Sequence, residues 1–161
     1  MTIVYRRELL ANAILEIRET LPAMWAEMAP GFGAEQPEPR WDLYFTAEKR
    51  EAAFLLTARE EGRLIGYFGM ILHDNPSLRN ELAATATPYY VVPRRDRGLI
   101  LRSLIRHAIT VCQRAGVKKA TIKTHPWASA EPVLVHLGAR EVAKDFMFDL
   151  AVREVKEVVN A

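Results

Sequence analysis

The chain has 161 residues, 50% of them hydrophobic and 26% charged, with a formal net charge of +2. That size and mixture predict one soluble globular domain with a sizeable core and exclude wholesale disorder, and the small charge excess calls for no polyanionic partner. Cys112 is the only cysteine, so an internal disulfide is excluded and a reducing compartment is expected. No apolar run is long enough for a bilayer, and the first residues lack the compact apolar core of a secretion signal, so a cytoplasmic protein without a membrane partner is expected.

In chain order, "TIVY" reads as a short strand. In "RRELLANAILEIRETLPAMWAEMA" the positions Leu10, Ile14, Ile17, Leu21, Trp25 and Met28 predict a helix with one buried face, interrupted at Pro22 into two pieces. "PGFGAEQPEPR" is too rich in Pro and Gly to stay regular and reads as a loop or the rim of a cleft. "WDLYFTAEKREA" predicts another helix. From Phe54 the period changes: "FLLTARE" and "RLIGYFGMILH", parted by Glu61 and Gly62, predict an antiparallel hairpin. After the turn "DNPSLRN", "ELAATATPYYVV" reads as a third long strand. Pro88 within it must mark a bulge, an edge or a divergence, because proline has no ladder donor.

Leu101, Leu104, Ile105, Ala108 and Cys112 then make one helical face, closed by Gly116. "VKKATIKT" predicts a strand, "HPWASAEPVLVHLG" a short or broken helix, and "AREVAKDFMFDL" one or two strands. This order predicts an α/β (α+β) fold in a single domain over residues 1–161: a mixed, strongly twisted central sheet with helices on both faces.

The stretch "VVPRRDRGLILRSLIRHA" carries the chemistry. A helix start leaves backbone N–H groups without internal partners and favours an anion. Arg94, Arg95, Arg97 and Arg102 surround this start, and Gly98 permits close backbone approach, so it suits a phosphate or pyrophosphate; solvated arginines around an ordinary turn are the plainer alternative. If the sheet opens after Pro88, residues Tyr89 to Val92 also offer backbone groups to an amide-bearing arm. Coenzyme A combines such an arm with a pyrophosphate.

With "EEGRLIGYFGMILH", "YYVVPRRDRG", "LRSLIRHAITVCQRAGVKKATIKTH" and "VLVHLGAREV", the chain resembles the GCN5-related N-acetyltransferase (GNAT) superfamily, in particular its small phage and bacterial acetyltransferases. The resemblance implies acetyl-CoA or CoA as cofactor. It places the pantetheine contacts on Tyr90, Val91 and Val92, and the pyrophosphate contacts on the turn from Arg97 and Gly98 through Leu99, Ile100 and Leu101 to Arg102. Two departures stand out. Leu101, or Ile100 in a shifted reading, replaces the family's terminal small residue, and Leu134 occupies the position of its usual tyrosine acid.

For acid and base roles the first choices are therefore His125 and Tyr89, with Tyr90, His136, His73 and Glu81 as further candidates. His125 is equally readable as a polar strand end, and one of the two tyrosines as core packing. No metal-ligand spacing is visible, and no nucleophile elbow frames Ser77, Ser103 or Ser129. The resemblance assigns the acceptor wall to the opening helices, which implicates Trp25, Phe32, Trp41 and Tyr44 around an apolar amine-bearing substrate, with Trp25 also readable as core packing; Glu35, Glu38 and Asp42 read either as favouring a cationic acceptor or as loop solubility. The expected activity is acetyl transfer from acetyl-CoA directly to a primary amine of a small molecule or protein. The alternatives are a catalytically weak or inactive module that binds CoA or a protein partner, and, less favoured, a nucleic-acid accessory protein. The resemblance also allows a homodimer.

Overall fold

The computed structural model describes residues 2–28, 38–125 and 130–143. Its centre is the hairpin of β2 (Ala53–Glu60) and β3 (Arg63–Asp74), closed by Glu61 and Gly62 with φ of 50° and 83°. Two consecutive positive φ values fit a tight turn whose twist matches that of the strands. β1 (Ile3–Glu8) adds antiparallel to the outer side of β2, and β4 (Leu82–Ala86) antiparallel to β3. β5 (Tyr90–Val91) pairs with β3 farther along, and β6 (Lys119–Thr121) runs parallel to β4.

Alternation along the strands sends side chains to two cores. On one face α3 (Arg97–Arg114) lays Ile100, Leu104, Ile105, Ala108 and Cys112 against Phe68 and its neighbours, and α4 (Glu131–His136) adds Leu134. On the other, α1 (Leu10–Met28) buries Leu10, Ala13, Ile17 and Met24 against Leu55, Leu64, Tyr67 and Tyr90, with α2 (Trp41–Lys49) beside it. Helices thus cover both faces, as the layer argument requires.

Three details differ from expectation. α1 runs unbroken through Pro22. A proline in a helix interior costs about 3 kcal/mol, but apolar contacts before and after it, from Ile17 to Met24, hold both halves on the sheet. On α3 Ile100 is fully buried, whereas Leu101 is only half-buried at the edge of the face. The expected strands of "AREVAKDFMFDL" find none in residues 139–143, and the remainder of that stretch lies outside the described residues, as does most of "PGFGAEQPEPR".

A charged cluster holds the hairpin to the opposite layer. Arg59 donates to both oxygens of Glu8 at 3.2 and 3.1 Å, to Glu16 at 2.7 Å and to the Gly62 carbonyl at 2.7 Å. Burial alone would raise the Glu8 carboxyl, but hydrogen bonds from Thr57, Arg59 and Arg6 outweigh it and hold the group below its ordinary range. Replacing Arg59 by Met removes two of the hydrogen bonds to the Glu8 carboxylate, which keeps Arg6 and Thr57, and should cost about 1–3 kcal/mol at neutral pH. Because a lowered pKa stabilises above the unfolded value and is lost as pH falls, the difference between wild type and Arg59→Met in urea unfolding should narrow below pH ~4. A constant difference would mean that Glu8 is not the partner that matters.

The strand that spans β4 and β5 carries one extra residue. Met70 pairs with Ala86 and Tyr67 with Tyr90, so Phe68 and Gly69 face Thr87, Pro88 and Tyr89. This is a β-bulge, at the proline that cannot join the ladder. Thr87 donates to the Gly69 carbonyl at 3.0 Å, and its side chain folds over Gly69 so closely that a Cβ there would collide with Thr87 Oγ1. Gly69→Ala should therefore destabilise the protein by about 1–3 kcal/mol, and a second change, Thr87→Ala, should recover most of the loss. Thermal melts of the four proteins in this cycle measure the coupling; additive losses would place the strain elsewhere.

Candidate active site

The bulge ends the sheet's regularity where β4 stops. The parallel pairing of β4 with β6 runs from Ala83 with Lys119 to Thr85 with Thr121, and beyond it β5 pairs with β3 alone among the described residues. The chain after β6 departs in its own direction. It is held by Ala130 N–H donating to Thr124 Oγ1 at 2.9 Å, which fixes the start of α4. Among the described residues the sheet therefore has a gap in its pairing between β5 and the chain that follows β6.

Val92 donates to the Ile65 carbonyl at 3.0 Å, so that residue, like Tyr90 opposite Tyr67, turns its hydrogen-bonding groups toward β3. Antiparallel alternation then turns the N–H and C=O of Val91 away from β3, toward the gap. Close packing under this residue depends on Gly66, where a Cβ would sit 3.0 Å from Val91 Cγ2 and 3.4 Å from Leu104 Cδ1.

Tyr89 spans the gap. Its ring packs on Phe68 with centroids 5.3 Å apart, and its hydroxyl donates to the Lys123 carbonyl at 3.1 Å. Burial pushes the Tyr89 hydroxyl above its ordinary range, against a smaller downward pull from a hydrogen bond with Thr124. It is therefore a protonated donor at neutral pH. Tyr90 faces the α1 layer instead. His125 is half-buried, two residues beyond the carbonyl that Tyr89 contacts.

At the start of α3 the amide of Arg97 donates to the Arg94 carbonyl at 3.2 Å, and those of Leu99 and Ile100 donate to Asp96 at 3.0 and 3.1 Å. Among the described residues the Gly98 amide has no such acceptor, and a Cβ on Gly98 would meet nothing closer than Val133 of α4, at 4.0 Å. The arginines are differently placed. Arg94 is held between Glu60 (3.1 and 3.3 Å) and Asp96 (2.5 and 3.2 Å). Arg97 donates to Glu27 of α1 at 2.7 Å and lies over the Tyr90 ring, 5.4 Å from its centroid. Arg102 Nη1 lies 3.5 Å from His136 Nε2, and its buried Nε has no hydrogen-bond partner among the described residues. Leu134 is buried in the core and offers no proton.

The remaining candidates stand apart from the gap. His73 Nε2 is 2.9 Å from Thr85 Oγ1 on the exposed surface, and Glu81 accepts from Asn75 Nδ2 at 2.8 Å. Asp42 is paired with Arg40 at 3.0 and 2.8 Å, exposed, while Phe32 and Glu35 lie outside the described residues. Among the described residues no group of three or more His, Cys, Asp or Glu side chains could hold a metal ion, and no helix is long and apolar enough to cross a membrane.

On the α1 side of the bulge, a cavity of about 150 Å³ lies between α1, α2 and the sheet. Trp25, Trp41 and Tyr44 line it together with Thr87 and Pro88 of the bulge itself. Glu27, Glu60, Glu48 and Thr87 are the participants that sequence reading missed. Each is an isolated polar residue whose partner lies 34 or more positions away or, for Thr87, across a strand pair, and no local pattern announces them.

A family model described as the acetyltransferase (GNAT) family matches residues 20–133. No curated protein sequence is significantly similar to the chain. Among solved structures, a predicted acetyltransferase from Clostridium acetobutylicum, crystallised with acetyl-CoA, is 16% identical with a TM-score of 0.66, over 93% of this chain and 97% of its own. A ribosomal-protein-alanine N-acetyltransferase from Brucella melitensis biovar Abortus 2308 is likewise 16% identical, with a TM-score of 0.67 over 92% and 99%. An aminoglycoside acetyltransferase from an uncultured soil metagenomic sample, in complex with sisomicin, is 12% identical, with a TM-score of 0.66 over 92% and 96%. Matched along most of its length by the family model, and sharing the fold of these enzymes, the chain belongs to the GNAT acetyltransferase family.

Proposed function

We propose that the protein is an acetyl-CoA-dependent N-acetyltransferase that transfers acetyl directly to a primary amine. The observation that supports this reading is the register that turns the backbone of Val91 away from β3, together with the open amide of Gly98 at the start of α3. These groups fit the cofactor's two halves: strand-edge hydrogen bonds suit the amides of a pantetheine arm, and a helix start with an open amide suits a pyrophosphate. Acetyl-CoA, when bound, supplies the activated thioester.

The chain's own groups divide the remaining work. Val91 fixes the arm in register. The α3 start, from Gly98 through Leu101, stabilises negative charge by backbone and dipole. Arg94 and Arg97, already balanced by Glu60, Asp96 and Glu27, brace the turn and do not serve as phosphate ligands. Tyr89 holds a proton on its hydroxyl beside the gap and is the proposed acid; His125 is the proposed base that keeps the amine neutral. A second reading, a cofactor-binding module with little catalysis, is supported by Leu134, whose buried side chain cannot replace a tyrosine.

Calorimetric titration with acetyl-CoA, followed by a turnover assay over mixed amines, separates the two: binding with turnover supports the enzyme, binding alone the module, and no binding at millimolar cofactor rejects both. A Cβ on Gly98 meets no protein atom closer than 4.0 Å, so Gly98→Val keeps the backbone while its branched side chain crowds the turn. It should weaken acetyl-CoA binding about 10-fold, or ~1.4 kcal/mol, while Arg114→Ala leaves it unchanged. Equal effects would displace the pyrophosphate from this turn.

Tyr89→Phe should lower kcat by about 100-fold with little change in cofactor affinity. Because burial raises the hydroxyl's pKa, the donor form persists past pH 10, so a limb set by Tyr89 lies on the alkaline side of that value. His125→Ala should likewise lower kcat by about 100-fold. Wild-type turnover in Tyr89→Phe or His125→Ala would remove that residue from the mechanism.

A further inference from the structure

The cavity beside the bulge is chemically one-sided. Leu21 and Met24 of α1 face Trp41 and Tyr44 of α2 across it, Tyr67 of β3 forms its floor, and Thr87 and Pro88 form the end that adjoins the gap. Burial pushes the Tyr67 hydroxyl up to about 12, and Tyr44 is raised for the same reason, as expected of a poorly hydrated enclosure. The Tyr67 hydroxyl is turned to Met24 Sδ at 3.4 Å and to Thr20 Oγ1 at 3.5 Å. Trp41 is covered on its outer side by Arg18, 5.7 Å from the ring centroid, and meets Tyr44 at 6.1 Å.

Among the described residues the one carboxylate on the lining is Glu48, and it is not placed for the reacting amine. Its Oε1 accepts the first amide of α1, Leu10 N–H, at 2.9 Å. Leu10 follows β1, and β1 lies on the far side of β2 from β3, so Glu48 and the bulge are separated by two to three strand spacings, about 10–14 Å. Among the described residues a polycation would therefore meet a nearly apolar lining with a single distant counter-charge, at a cost of several kcal/mol per buried ammonium. A volume of about 150 Å³ accommodates one aromatic ring.

Resting on the acetyltransferase reading, we propose that the acceptor is a compact arylalkylamine. Its ring occupies the cavity between Trp41, Tyr44 and Tyr67, and its amine points to Thr87 and Pro88, where the gap begins. Ring-to-ring and methionine-to-ring contacts supply the recognition, and selectivity against polyamines comes from the missing negative charge. In the reaction the amine nitrogen forms the new bond to the acetyl carbon, the carbon–sulfur bond of acetyl-CoA breaks, and the amine's proton leaves as the thiol is formed.

The test has two independent readouts. In the first, acetylation of phenethylamine, tyramine, spermidine, sisomicin and an alanine-initiated peptide is compared at saturating acetyl-CoA. The arylalkylamines should exceed the others at least 10-fold in kcat/KM; preference for spermidine, sisomicin or the peptide would overturn the proposal. In the second, phenethylamine is titrated without cofactor while the fluorescence of Trp25 and Trp41, which both line the cavity, is followed. A saturable change is expected, and Leu21→Trp, which fills the cavity from α1, should abolish that saturation and raise KM for phenethylamine about 10-fold with acetyl-CoA affinity unchanged. Trp41→Leu provides a second variant should Leu21→Trp melt at a lower temperature than wild type. Should acetyl-CoA fail to bind, the acetyltransferase reading falls while the titration still decides the cavity; no saturable signal in wild type overturns the arylalkylamine itself.

Discussion

Pro88 cannot donate to a ladder, and Thr87, Pro88 and Tyr89 must be fitted against only Phe68 and Gly69; the strand meets both demands by leaving its neighbour. Everything proposed for the site follows from that departure. Before the bulge β4 is gripped by β3 and β6; after it, among the described residues, β5 keeps only β3, and its other edge faces the gap. Gly69 tolerates the folded-over Thr87, and Gly66 lets Val91 lie close under Leu104, so two glycines three residues apart permit the geometry that one proline demands. The site is thus a property of the backbone before it is a property of any side chain.

The distribution of charge agrees with this view. Two of the four arginines that mark the turn in sequence are paired in the fold, Arg94 with Glu60 and Asp96 and Arg97 with Glu27. In the proposed site an amide and a helix dipole contribute to anion recognition, at roughly 0.3–2 kcal/mol per charge, a term that is modest but fixed in direction. The arginines tie the turn to β2 and α1, so the same helix that forms one wall of the cavity also steadies the cofactor turn. Glu48 plays a comparable part, its carboxylate accepting the first amide of α1 beside the cavity.

The fold was legible wherever a periodic pattern and a turn signal coincided. Glu61-Gly62 between two alternating runs fixed the hairpin, and the stripe from Leu104 to Cys112 fixed α3. Pro88 announced a disruption but not its kind, since a bulge, an edge and a divergence share one composition. Pro22 misled because local propensity was weighed without the sheet that α1 packs on. At the site, the resemblance pointed to the strand and turn but could not say which backbone groups were already spent. Only the register assigns Val92 to Ile65 and turns Val91 outward. The partners of Arg94 and Arg97 were unreadable because contacts between distant segments leave no spacing to count.

The bulge also resets parity. Ala84 and Ala86 face the α3 layer, and simple alternation would send Tyr90 there too; the added residue sends Tyr89 and Val91 to that layer and Tyr90 to the α1 layer. Point substitutions at 87–89 change shape locally, whereas loss of a single codon there would exchange the two layers' side chains along all of β5 at once. The length of this segment, more than its lettering, is therefore what inheritance must preserve.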